Sequence, residues 1–168
     1  SGYHTFEIAH HRLLTITGGK WTTYRYMAED CVNQAAKIGE LGDKPCITGT
    51  LPIHGHCQDT ERLGERWYYG SDAEQVGALA EYDDLSAPLH DDLPYERADV
   101  TWAVRHEMAR TVDDVLARRT RSLLLDAQAA IACTDEVALE ISRELGHDEA
   151  WRRTQAEQFR EIAKGYLP

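Results

Sequence analysis

The residues best suited to chemistry are Gly18-Gly19-Lys20, set in the stretch Leu13-Leu14-Thr15-Ile16-Thr17-Gly18-Gly19-Lys20-Trp21-Thr22-Thr23-Tyr24-Arg25. Leucine, threonine and isoleucine up to Thr17 suit a pleated, half-buried strand. The two glycines break that pattern, and Thr22-Thr23 supply hydroxyls able to cap a helix expected from about Thr23 to Ile38. A strand, a glycine turn and a helix N-terminus gather backbone N–H groups and the positive helix end at one point, where Lys20 adds a full charge. The chemistry on offer is recognition of an anion. The same spacing also suits a tight strand-to-helix turn with no ligand, since Gly-Gly-Lys falls short of the full phosphate-loop pattern.

Other reactive side chains are less well organised. His54, His56 and Cys57 are chemically suited to zinc, but two histidines at i and i+2 in a Gly/Pro loop have no second cluster to complete four ligands. No metal site is expected. His10-His11 reads as a solvated turn. Arg105, Arg110, Arg118, Arg119 and Arg121 form the one basic concentration. A pair of arginine-bearing helices suits nucleic acid, yet the nearby Asp113 and Asp114 favour interhelical ion pairs instead. The chain shows no G-x-G-x-x-G and no readable Ser-His-Asp or Cys-His arrangement.

The elements that must position these residues fall into two blocks. Residues 3–9 and 12–17 are strand-like and suggest a hairpin, though its turn lacks Asn-Gly or Asp-Gly. Tyr24, Met27, Ala28, Cys31, Val32, Ala35 and Ala36 then recur at three and four, the stripe of one helix face, which Gly39 and Gly42 stop. Residues 39–59, rich in glycine and proline, form an extended connector and the best place for a domain boundary.

Residues 60–168 are helical almost throughout. A short helix is expected from Thr60 to Tyr69, and a second capped by Ser71 with Val76, Leu79 and Ala80 inward. A third starts near Tyr95 and uses Val100, Ala103, Val104 and Met108. Thr111 and Asp114 have capping-box spacing. Ser122–Cys133 should turn Leu124, Leu125 and Ala129 inward; Thr134 should cap a helix closed by Gly146. The last helix, from about Glu149 to Tyr166, carries Trp151, Phe159, Ile162 and Ala163 as its apolar anchors. The expected fold is mainly α: five or six helices preceded by a β-hairpin and one further helix.

With 168 residues and a net charge of −11, the chain has room for one core and repels nucleic acid and anionic membrane. No apolar run approaches the roughly 20 residues of a membrane span. Cys31, Cys46, Cys57 and Cys133 show no C-x-x-C spacing and read as thiols of a reduced, cytoplasmic setting.

The Leu13–Arg25 stretch, with Met27-Ala28-Glu29-Asp30 after it and His4-Thr5 before it, resembles the end of the flavin domain in FAD-dependent glycerol-3-phosphate dehydrogenases and oxidases. Trp102 to Arg121, which includes Arg105-His106-Glu107-Met108-Ala109-Arg110 and Arg118-Arg119-Thr120-Arg121, is similar to the C-terminal helical domain of the same enzymes. So are Leu51-Pro52-Ile53-His54-Gly55, Tyr69-Gly70-Ser71 and Leu93-Pro94-Tyr95. These matches occur in order and cover most of the chain. The departure is that no dinucleotide-binding βαβ unit is present.

The resemblance implies that residues 1–38 are the tail of an FAD-binding domain, 39–59 a connector and 60–168 a helical C-terminal cap. It implies oxidation of sn-glycerol 3-phosphate to dihydroxyacetone phosphate, with hydride passed to FAD and electrons onward to quinone or oxygen. Gly18, Gly19, Trp21 and Thr22 would touch the flavin, and Lys20 the substrate or its developing oxyanion. The missing FAD-binding domain would be a partner, FAD would not stay on this stretch alone, and homodimerisation is left open. In such an enzyme the setting is cytoplasmic or peripheral at the inner face of the cell membrane. The rival reading is a self-standing acidic helical interaction module with no catalytic role.

Overall fold

A computed structural model describes residues 4–42, 44–82 and 85–167. The chain divides into two compact units, Ser1–His54 and Gly55–Pro168.

In the first unit, alternating apolar and polar side chains make an antiparallel hairpin, β1 (His4–Ile8) with β2 (Leu14–Gly18), paired His4 to Gly18 and Ile8 to Leu14. Tyr3, expected to begin the first strand, lies outside the described residues. Arg12 replaces the usual Asn-Gly by adopting a left-handed φ of 62°, while its N–H donates to the Ala9 carbonyl. This is the short turn closed by a left-handed residue that three-residue hairpin loops use. His4, Phe6, Leu14 and Ile16 share the half-buried face. One 3-10 turn (Trp21–Thr23) leads into α1 (Tyr24–Gly39), which packs on β2. His4 Nε2 meets Asp30 Oδ2 at 2.8 Å, tying β1 to α1. The apolar stripe of α1 is present, but none of its residues is buried.

The second unit departs from expectation where glycines intervene. Thr60–Tyr69 is not an α-helix. Glu61–Asp72 is a run of 3-10 turns broken at Gly64 and Gly70, both at φ 57° with ψ near the extended range, a conformation open to glycine. Ser71 does not cap α2 (Ala73–Glu81); Asp72 holds the cap position, and the Ser71 hydroxyl turns to its carboxylate. Helix α3 (Arg97–His106) buries Val100, Ala103 and Val104. Met108 lies beyond its end at φ 60° and is exposed, contrary to the inward position its spacing suggested.

Thr111 and Asp114 form the expected reciprocal pair: Asp114 N donates to Thr111 Oγ1 (3.1 Å), and Thr111 N to Asp114 Oδ2 (3.0 Å). A π-helical turn, Asp114–Arg119, follows. The helix expected over Ser122–Cys133 is two, α4 (Ser122–Leu125) and α5 (Ala127–Ala132). Asp126 separates them, because its extended backbone lets its carboxylate accept Ala129 N at 2.9 Å. That break rotates the leucines: Leu123 is buried, whereas Leu124 and Leu125 are exposed.

Helix α6 (Thr134–Leu145) ends at Gly146, φ 72°. Thr134 does not cap it; its hydroxyl donates back to the Ala130 carbonyl at 2.9 Å. In α7 (Glu149–Ala163), Asp148 accepts Trp151 N, and Ala156, Phe159 and Ala163 face inward while Ile162 does not. Helix α6 packs against both α3 and α7. Val100, Val112, Val115, Leu116, Val137, Ile141 and Phe159 form the centre of one core, each contributing about 1.5–3 kcal/mol by leaving water.

Candidate functional site

The turn between β2 and α1 is built on two left-handed glycines, Gly18 at φ 88° and Gly19 at φ 78°. A Cβ on Gly19 would lie 2.2 Å from Met27 Sδ, so the first turns of α1 cover that glycine closely. Lys20 is extended, and its backbone is held by Thr23: Lys20 N donates to Thr23 Oγ1 (3.1 Å), and that hydroxyl donates to Lys20 O (2.9 Å). The Thr23 hydroxyl therefore locks the turn behind it and makes no cap bond to α1, which corrects the expected capping role.

The side chains of Lys20, Trp21 and Thr22 are exposed. Trp21 is 87% exposed, with its ring stacked on Tyr24 at 5.6 Å. Among the described residues no carboxylate pairs with Lys20. Arg25, the next cation, is engaged by Glu29 (2.8 Å) and lies 4.0 Å over the Tyr26 ring. The arrangement offers a side-chain-free backbone edge, one available ammonium and a broad aromatic face. An anion carrying a planar ring fits that combination.

A second group of marked residues meets in the helical unit. Gly70 passes so close to Gly55 that a Cβ would lie 1.8 Å from the Gly55 carbonyl, which accepts from Ser71 N at 3.2 Å. Just before this contact, the Tyr69 hydroxyl donates to Asp99 Oδ1 at 2.6 Å. The other Asp99 oxygen accepts Glu96 N at 2.7 Å, and Arg66 Nη2 donates to Glu96 at 2.5 Å. Burial, reinforced by the Asp99 charge, pushes the Tyr68 and Tyr69 phenols well above the ordinary tyrosine range, so both stay protonated donors. Asp99 carried no motif; only its place three residues after Glu96 hinted at it.

Of the arginines in Trp102–Arg121, Arg105 makes the expected kind of interhelical ion pair, whereas Arg118 pairs with Asp113 and Asp114 locally. Arg105 grips Glu144 with two bonds of 2.6 and 2.7 Å, joining α3 to α6. Arg119 Nε donates to the Glu107 carbonyl at 3.1 Å. Among the described residues no group of three His, Cys, Asp or Glu side chains could hold a metal ion, and no helix is long and apolar enough to cross a membrane.

Residues 12–152 match the family described as the C-terminal domain of alpha-glycerophosphate oxidase. The mitochondrial glycerol-3-phosphate dehydrogenase SDP6 of Arabidopsis thaliana is 32% identical over 188 residues, 92% of this chain and 29% of that protein. Glycerol-3-phosphate dehydrogenase 1 of Mycobacterium tuberculosis is 36% identical over 137 residues, 74% of this chain and 26% of that protein. The mitochondrial enzyme of Rattus norvegicus is 33% identical over 175 residues, 92% and 24% respectively. The chain thus spans under a third of each of these relatives. It belongs to the family of the C-terminal domain of alpha-glycerophosphate oxidase.

Proposed function

We propose that the chain is the C-terminal part of an enzyme that oxidises sn-glycerol 3-phosphate to dihydroxyacetone phosphate with FAD. The observation that carries this reading is the Gly18-Gly19-Lys20 turn at the head of α1, with the Lys20 side chain exposed and met by no carboxylate among the described residues. The relatives' names supply the substrate. FAD, when bound, would accept the hydride and pass electrons to quinone or oxygen. This chain's part is binding and charge. Gly18 and Gly19 lack side chains, so their backbone can approach a ring system closely. Trp21 and Thr22 border the same edge, and the positive end of α1 favours the negative charge a reduced flavin carries. Lys20 is assigned to the substrate phosphate or the oxyanion that develops as the alcohol is oxidised.

On this reading residues 1–38 complete an FAD-binding domain, 39–59 connect, and 60–168 form the cap. Residues 4–54 expose Trp21, Tyr24, Val32, Leu41, Ile47 and Ile53. So much bare apolar surface supports a missing FAD-binding partner over the rival reading of a self-standing acidic module. The enzyme would be cytoplasmic or peripheral to the membrane carrying its quinone.

The test is Lys20→Ala in the full-length protein. Turnover with glycerol 3-phosphate should fall by about 10²-fold or more, the usual loss when one charge-stabilising donor is removed, with flavin absorbance retained. Unchanged steady-state kinetics would remove Lys20 from the site. The 168-residue chain alone should stay colourless after incubation with FAD and desalting; a yellow, stoichiometric complex would contradict the assignment of the remaining flavin contacts to missing chain.

A further inference from the structure

The helical unit carries a concavity to which no role is assigned above, lined by Tyr68, Tyr69, Tyr95, Arg118, Arg119 and Arg121. Most of its charge is already spoken for. Asp113 and Asp114 hold Arg118; the Glu107 carbonyl and carboxylate hold Arg119; Asp99 accepts from both the Tyr68 and the Tyr69 phenol. Arg121 differs. Among the described residues no carboxylate or carbonyl meets its guanidinium. Its charge acts on the Tyr95 phenol, which burial and then Asp99 push up and Arg121 pulls back down.

The backbone here is also unusual. Arg121 sits at φ 58°, a left-handed conformation that few non-glycine residues adopt and that clusters at functional sites. The π-helical turn Asp114–Arg119 leads into it, and such widened turns recur where side chains must be aimed together. Turn and kink together bring three guanidinium groups within four residues onto the lining of a concavity that three tyrosines share.

We infer that this concavity binds a small phosphate-class dianion, with Arg121 as its two-pronged anchor and Arg119 beside it. A guanidinium fork matches two phosphate oxygens in a way an ammonium cannot. A guanidinium without a carboxylate partner among the described residues offers an anion a local attraction on a chain of net charge −11. Glu107 also lines the concavity, its carboxylate 3.9 Å from Arg119 Nε. Inorganic phosphate and a phosphate monoester share the recognised group, so the experiment separates them.

The 168-residue chain is titrated with sodium phosphate, with sn-glycerol 3-phosphate and with uncharged glycerol at constant ionic strength, following backbone amide resonances by NMR. Saturable shifts are expected at residues 118–121, from both phosphates and not from glycerol. Tighter binding of the ester would identify the monoester as the ligand, and equal binding free phosphate. Arg121→Gly removes the guanidinium while fitting the left-handed backbone, so the fold should persist. It should weaken binding about tenfold or more, as loss of a charge-assisted bidentate contact does. Lys20→Ala should leave these shifts unchanged. Absence of saturation by about 20 mM, the weak end of specific affinity, would overturn the site. So would an Arg121→Gly protein that binds as well as its parent, or shifts at 118–121 that vanish with Lys20→Ala.

Discussion

The hydroxyl of Tyr69 donates to Asp99 at 2.6 Å, and this bond joins the 3-10 segment to the first turn of α3. Asp99 is only 2% exposed. A buried carboxylate needs its donors, because leaving one unmade forfeits the hydrogen bond and keeps the desolvation penalty. Tyr69→Phe should therefore destabilise the helical unit by about 1.5–3 kcal/mol, the range for bonds to charged groups. Urea denaturation of the two proteins measures it, and a difference below about 0.5 kcal/mol would show that water replaces the phenol.

Two glycines in the same segment make a controlled comparison. Gly64 and Gly70 share φ 57°, with ψ of −137° and −126°. Nothing lies within 4 Å of a Cβ on Gly64, whereas one on Gly70 meets the Gly55 carbonyl at 1.8 Å. Gly64→Ala should cost about 1–3 kcal/mol from backbone strain alone. Gly70→Ala must also displace backbone, and should lose clearly more or fail to fold. Equal melting temperatures for the two variants would contradict the close approach.

The Thr111–Asp114 pair should make stability depend on acid pH. Partial burial pushes the Asp114 carboxyl up, but the amides of Arg110 and Thr111, the Thr111 hydroxyl and the Arg118 charge outweigh it and hold the group below the ordinary 3.8. A folded value below the unfolded one stabilises above the unfolded value, and the gain disappears as pH falls through the folded value. Asp114→Asn should then lose about 0.5–2 kcal/mol at pH 7, and the gap to the parent should close at about pH 2–3, below the carboxylate range. A gap that is the same at both pH values would assign the effect to shape and not charge.

Cysteine reactivity should separate sharply by burial. Cys133 is 3% exposed, and burial pushes its thiol up to about 11, whereas Cys46 is exposed. Since the thiolate is the nucleophile, iodoacetamide at about pH 8, near an ordinary thiol value, should label Cys46 in minutes and spare Cys133 until the protein is unfolded. Mass spectrometry of the digested protein reads both sites. Prompt labelling of Cys133 would mean that α5 and α6 open readily.

Much of this protein was legible residue by residue where the determining forces are local. The helical stripe from Tyr24, the Thr111–Asp114 pair, the stop at Gly146 and the capacity of Gly18-Gly19 for a left-handed turn all follow from side chains within a few positions of one another. Order and spacing of motifs were enough to place the family as well. Periodicity misplaced Leu124 and Leu125, because Asp126 ends their helix after a single turn and no continuous helical face links them to Ala129; Ile162 is exposed near the end of α7.

What only the tertiary structure decided are the contacts between distant segments. The approach of Gly70 to Gly55, the pairing of Tyr69 with Asp99 thirty residues on, and the concavity that Arg118, Arg119 and Arg121 share with three tyrosines have no signature in local spacing. The physical reason is the same in each case. A buried carboxylate or a side-chain-free crossing is stable only when its partner arrives from elsewhere in the chain, and burial, unlike periodicity, is a property of the folded whole.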